Sequence, residues 1–279
     1  MTLPFGIDTW VYVALPLEKA LERLKEKGIS YVELSCEHLS DLKKREDFIA
    51  RAKVLNEVLN SLEIKPIQVH AIYGDIDLRL ASNNQSERDS AFNEMKNWIE
   101  LCSLLGAEVL VVHTARINNA ETNMSFIEMN EKLKYINIDV FSQLSHFAKD
   151  YGVKIAVENR LENMFGSRPR DLIEIVEGSD PDYIGICFDT GHANVNKLNL
   201  LEFIEITKNY LIATHIHDND GWHDLHFPPL VGNINWPELF KEFSLVYKKP
   251  LIFEIAGYRD LNRCDNNVEL TKIIMKELT

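Results

Sequence analysis

Eight short β-rich runs alternate with helical patterns along this chain, and six of the runs end in a residue type that binds metal ions. The runs are Leu3 to Thr9, Tyr31 to Ser35, Pro66 to Ala71, Glu108 to Thr114, Lys154 to Asn159, Tyr183 to Thr190, Leu211 to His217 and Leu251 to Ala256. Several are almost continuously apolar, as in Val109-Leu110-Val111-Val112. Such runs mark strands covered on both faces, and therefore a parallel sheet. Between them, apolar residues recur at helical spacing over Leu17 to Lys27, Phe48 to Leu62, Ala91 to Leu105, Ile136 to Lys149, Leu172 to Val176, Leu200 to Ile206, Leu239 to Tyr247 and Leu270 to Leu278.

Eight β-then-α units in 279 residues match the usual length of a (β/α)8 barrel. An open, doubly wound sheet is the rival. It usually carries a phosphate-binding glycine turn after its first strand, and Ile7-Asp8-Thr9-Trp10-Val11 has no such glycines. No Pro/Gly/Ser-rich linker or charge run marks a boundary. The expectation is an α/β chain forming a single (β/α)8 TIM-barrel domain over residues 1–279. The longest loops, Ile72 to Gln85, Ala115 to Ser125 and Asn219 to Asn235, follow the third, fourth and seventh runs. They therefore lie at the mouth where active sites of such barrels form.

The runs end as Gln-Val-His70, Val-Val-His113, Ala-Val-Glu158, Cys-Phe-Asp189, Ala-Thr-His215 and Ile-Phe-Glu254. Only a closed parallel barrel gathers such scattered residues at one mouth. Glu158, Asp189, His215 and Glu254 come from four neighbouring strands. Three carboxylates and one imidazole suit Mn²⁺, Mg²⁺ or Co²⁺ better than a thiolate-bound structural zinc. Without a cation, three buried carboxylates would repel one another. A cation there polarises a carbonyl, and two glutamates on different sides of a sugar would exchange protons with the carbons beside it. Each residue also has an ordinary alternative. A lone strand-end histidine is often structural, and Asp189-Thr190 is suited to capping the next helix.

The formal charge of −13 argues against nucleic acid and anionic membranes as partners. No apolar run approaches the roughly 20 residues that span a bilayer, and the first residues lack a signal-peptide pattern. The expected location is cytoplasmic. Cys36, Cys102, Cys187 and Cys264 form no Cys-x-x-Cys pair and read as buried, reduced thiols.

The segments Val157-Glu158-Asn159, Phe188-Asp189-Thr190-Gly191-His192, His215-Ile216-His217-Asp218, Asp224-Leu225-His226 and Phe253-Glu254-Ile255 resemble the xylose isomerase-like barrel superfamily. The resemblance is to its sugar phosphate isomerase/epimerase and endonuclease IV-like branch, over nearly the whole chain. It implies that Glu158, Asp189, His215 and Glu254 bind one divalent ion (Mn²⁺, Co²⁺, Mg²⁺ or Zn²⁺), with no organic cofactor. Glu158 and Glu254 would double as the acid/base pair. His192, His70, His113, His226, Asp224 and Arg160 are the expected substrate-binding residues. The implied partner is a small sugar or sugar phosphate, in an enzyme of carbohydrate metabolism, and a homo-oligomer is usual for such barrels.

The endonuclease branch implies a different use of His70, His113, His192, Asp224 and His226, as further ligands of a three-zinc cluster that hydrolyses a phosphodiester in abasic DNA. Three departures oppose it: Arg160-Leu161-Glu162-Asn163 where a glycine-containing turn is usual, His217 where Asn is usual, and Ile255 where Thr is usual. A dehydratase or lyase on the same barrel is a third alternative.

Overall fold

The computed structural model describes residues 3–118 and 123–278, so part of the expected Ala115 to Ser125 loop lies outside the described residues. The strands are β1 (Phe5–Asp8), β2 (Tyr31–Leu34), β3 (Lys65–His70), β4 (Val109–His113), β5 (Lys154–Glu158), β6 (Ile184–Asp189), β7 (Leu211–His215) and β8 (Leu251–Phe253). They form one sheet ordered β7-β6-β5-β4-β3-β2-β1-β8, and every pairing is parallel. A parallel bridge between Ile216 and Phe253 joins the two ends and closes the barrel.

The helices are α1 (Leu17–Glu26), α2 (Arg45–Leu62), α3 (Asp75–Leu80), α4 (Gln85–Leu104), α5 (Phe126–Asp150), α6 (Pro169–Glu177), α7 (Thr190–Val195), α8 (Leu200–Thr207), α9 (Trp236–Val246) and α10 (Leu261–Leu278). Several begin well before their apolar stripes. The first turn of α4 is polar and exposed, that of α5 leaves Phe126 and Ile127 exposed, and capping holds both. Asn84 accepts from the Ser86 amide, and Ser125 forms a reciprocal capping box with Glu128. Two short helices, α3 and α7, occupy stretches with no apolar periodicity of their own.

Side chains alternate across each strand. Leu110, Val112, Ile155 and Val157 face outward into the main core, packed against the helices. Val109, Val111, Ala156, Cys187 and Ala213 face inward and form a separate small cluster inside the barrel. One more step along this inward register arrives at His113, Glu158, Asp189 and His215. The apolar plug therefore sits directly beneath the polar mouth. All four cysteines are free and buried, as expected. No described helix is long and apolar enough to cross a membrane.

Candidate metal centre

The expected tetrad converges on the Nδ1 atom of His215. Glu158 Oε1 lies 3.3 Å from it, Glu254 Oε2 lies 3.7 Å and Asp189 Oδ2 lies 3.8 Å. This nitrogen is buried and has no hydrogen-bond partner among the described residues. A buried polar atom left unpaired costs free energy. One ringed by three carboxylates is the environment that a divalent cation satisfies. Glu158, Asp189 and His215 have ligand atoms close enough to share one ion, so the donor set fits the expected metal.

Asp189 serves two purposes. It ends β6, and its Oδ1 caps α7 by accepting from the His192 amide at 2.6 Å. It also accepts from His217 Nε2 at 2.9 Å.

The additional residues expected near the substrate come together too. Glu158 is the hub. Its Oε2 lies 3.2 Å from His70 Nε2 and 3.0 Å from His113 Nε2. Its Oε1 lies 3.3 Å from His192 Nδ1. Burial alone would raise the Glu158 carboxyl, but His215, His113 and His192 hold it well below the usual carboxylate range. Asp224 Oδ2 lies 3.3 Å from His192 Nε2 and 2.9 Å from His226 Nε2. Burial lowers the His226 imidazole, but Glu254 and Asp224 outweigh it and raise it to about 9. Four further sets have ligand atoms close enough to share an ion: His70, His113 and Glu158; His192, Asp224 and His226; His217, His226 and Glu254; and Glu33, His70 and His215.

Three of the histidines are fixed by backbone carbonyls. In His70, Nδ1 lies 2.8 Å from the Ala71 carbonyl. In His192 it lies 2.9 Å from the Asn159 carbonyl, and in His226 it lies 3.0 Å from the Glu254 carbonyl. A ring anchored through Nδ1 on a carbonyl turns Nε2 toward its other neighbour, here Glu158 for His70 and Asp224 for His192 and His226, the orientation usual for a metal-binding histidine. The loop after β7 carries Asp224 and His226. Asp218 anchors it, accepting from the amides of Gly232 and Ile234 and from Trp236 Nε1. His226 adopts φ 47°, a left-handed conformation that costs a non-glycine residue roughly 1–2 kcal/mol.

Arg160 borders the cavity above the centre, as expected, but its guanidinium is also engaged by the protein. It is buried, and its guanidinium reaches the Thr114 carbonyl at 2.5 Å, Asp77 at 3.4 Å and Glu162 at 3.0 Å. Those protein acceptors occupy it, and it braces the mouth loops. Arg116 lines the same cavity of about 320 Å³, together with Tyr73, Glu158, His192 and Glu254. Tyr73 covers the His113 ring at 4.9 Å and donates its hydroxyl to Glu37 at 2.7 Å. Tyr12 is buried and donates to Asp265.

The sequence reading missed Glu33 and His217. Glu33 lies at an inward position of β2 with no exposure and touches His215. Its signal was a lone carboxylate inside the apolar run Tyr31-Val32-Glu33-Leu34.

The family model described as xylose isomerase-like TIM barrel matches residues 21–276. An uncharacterized protein of Methanocaldococcus jannaschii is 31% identical over 93% of this chain and 86% of its own length. The inosose isomerase of Bacillus subtilis is 25% identical over 57% of this chain and 53% of its own. A solved structure of a D-tagatose 3-epimerase-like protein is 29% identical, covers 99% of both chains and superposes with a TM-score of 0.78.

Proposed function

The chain belongs to the xylose isomerase-like TIM barrel family, and from that premise we propose that it is a divalent-metal-dependent sugar or sugar-phosphate isomerase/epimerase. The unpaired, buried Nδ1 of His215 among three carboxylates carries this reading. The likeness to a D-tagatose 3-epimerase-like protein and to an inosose isomerase supports it.

Glu158, Asp189, His215 and Glu254 would hold the ion. When bound, it supplies Lewis acidity to a substrate carbonyl and its neighbouring hydroxyl oxygen. Glu254 borders the cavity and is the more accessible glutamate, with a side chain 14% exposed against 2% for Glu158. Glu254 takes the proton from the carbon beside the carbonyl. Glu158 lines the same cavity with imidazoles at both oxygens, and this cluster returns a proton to the other face or to the adjacent carbon. His113 and His192 border the same cavity and orient the hydroxyls. Arg116 forms no ion pair among the described residues and is the cation available to a phosphate group.

Chelated protein should lose turnover of a ketose panel and regain it with Mn²⁺ or Co²⁺, and solvent deuterium should enter the substrate carbon. Undiminished turnover in excess chelator would remove the metal from the reaction.

A second reading has less support. Overlapping sets of ligand residues, two of which share Glu158, would suit several ions and phosphodiester hydrolysis. About three tightly held ions per chain, together with cleavage of abasic DNA, would replace the isomerase reading.

A further inference from the structure

We propose that Glu33, buried beneath the metal centre, is the positioning carboxylate that turns His215 so that its Nδ1 is the metal-binding nitrogen. The inference rests on the reading of the tetrad as a cation site. His215 Nε2 lies 3.0 Å from Glu33 Oε2 and 3.2 Å from Glu33 Oε1, and both side chains have zero exposure. The opposite ring nitrogen faces Glu158, Asp189 and Glu254. The two poles of one imidazole therefore meet carboxylates of two kinds. At Nε2, both oxygens of a single carboxylate are within hydrogen-bond reach, the geometry of an N–H donor. At Nδ1, three carboxylates from three strands converge on a nitrogen with no donor or acceptor partner.

The neighbouring histidines repeat the logic with the ring reversed. His70, His192 and His226 anchor Nδ1 on backbone carbonyls. His215 alone among these uses a buried carboxylate, and through Nε2. A carboxylate anchor does more than fix a ring. It raises the basicity of the coordinating nitrogen.

Glu33 is itself held. Gln68 Nε2 donates to Glu33 Oε2 and reaches the Thr214 carbonyl at 3.4 Å, so β3 ties the carboxylate to β7 beside His215. Without His215 to donate to it, Glu33 would be a buried carboxylate supported only by an amide, an expensive state. A residue with that cost and no contact with the cavity acts through the ring it holds.

Two measurements test this. In Zn²⁺-loaded wild-type protein, ¹⁵N-histidine correlation spectra should show His215 protonated at Nε2 and coordinated through Nδ1; coordination through Nε2 overturns the proposal. In Glu33→Gln, Mn²⁺ affinity should fall about 10–100-fold and the visible bands of the Co²⁺-loaded protein should shift. The chelated variant should unfold at no lower temperature than the chelated wild type. Wild-type affinity and spectrum in Glu33→Gln, or a weakening matched by lower stability of the chelated protein, overturns the proposal. If the wild type itself binds no Mn²⁺, the metal reading fails before Glu33 is at issue. The spectrum of the wild type decides the matter should Glu33→Gln not fold.

Discussion

Gly191 and His217 are packed so closely that a β-carbon on Gly191 would lie 1.9 Å from His217 Cε1. The contact explains the glycine in the Asp-Thr-Gly-His segment, because α7 starts against an imidazole that must reach Asp189. We expect Gly191→Ala to push His217 off Asp189, destabilise the chain by about 1–3 kcal/mol and weaken Mn²⁺ binding about tenfold or more. Thermal unfolding and metal titration check both effects. An unchanged Mn²⁺ affinity would mean that His217 does not support Asp189.

Arg160 holds Asp77 and Glu162 from a buried position. Removing one partner of a buried ion pair leaves a charge uncompensated, at a cost of about 3–5 kcal/mol. Arg160→Ala should therefore lower the unfolding temperature of the chelated protein markedly. Wild-type stability with only a raised KM would return Arg160 to direct substrate contact.

Arg116 lines the same cavity as Arg160 but forms no ion pair among the described residues. Arg116→Ala should raise KM for a phosphorylated sugar about tenfold or more, the loss of a charge-assisted contact, and leave a non-phosphorylated sugar within about twofold. Paired steady-state assays on the two substrates read this directly. Equal effects on both would deny Arg116 a role in recognising phosphate.

Asp265, which does not line the cavity, ties α10 to α1. It accepts from Arg23 Nε at 2.8 Å and Nη2 at 2.7 Å, and from the Tyr12 hydroxyl at 2.7 Å. The Arg23 bonds lower its carboxyl to about 2, below the roughly 3.9 of an unfolded chain. Its contribution is thus fully present above about pH 4 and is lost as pH falls through 2. Asp265→Asn should lower the unfolding temperature by about 2–4 °C at pH 6, and that gap should close as the pH approaches 2. A gap constant with pH would contradict the ionic account.

The barrel was legible because its evidence is periodic. Continuous apolar runs such as Val109 to Val112 can only be strands covered on both faces, and each ended where the inward register exposes a ligand type. The tetrad followed from that register. Glu33 and His217 were less visible for a physical reason. Their roles are contacts between strands distant in sequence, and no local pattern encodes them. Arg160 illustrates the same gap. The guanidinium after β5 borders the cavity, but no local pattern shows that Asp77, from α3, pairs with it. The helices α3 and α7 escaped notice because caps and short turns, not apolar stripes, hold them.

The most direct test is anomalous X-ray diffraction from crystals of Mn²⁺-loaded protein. We expect a strong peak about 2.0–2.3 Å from His215 Nδ1 and from carboxylate oxygens of Glu158, Asp189 and Glu254. A fully loaded crystal with no peak at that point, or with the ion on the Nε2 side of His215, would contradict the account.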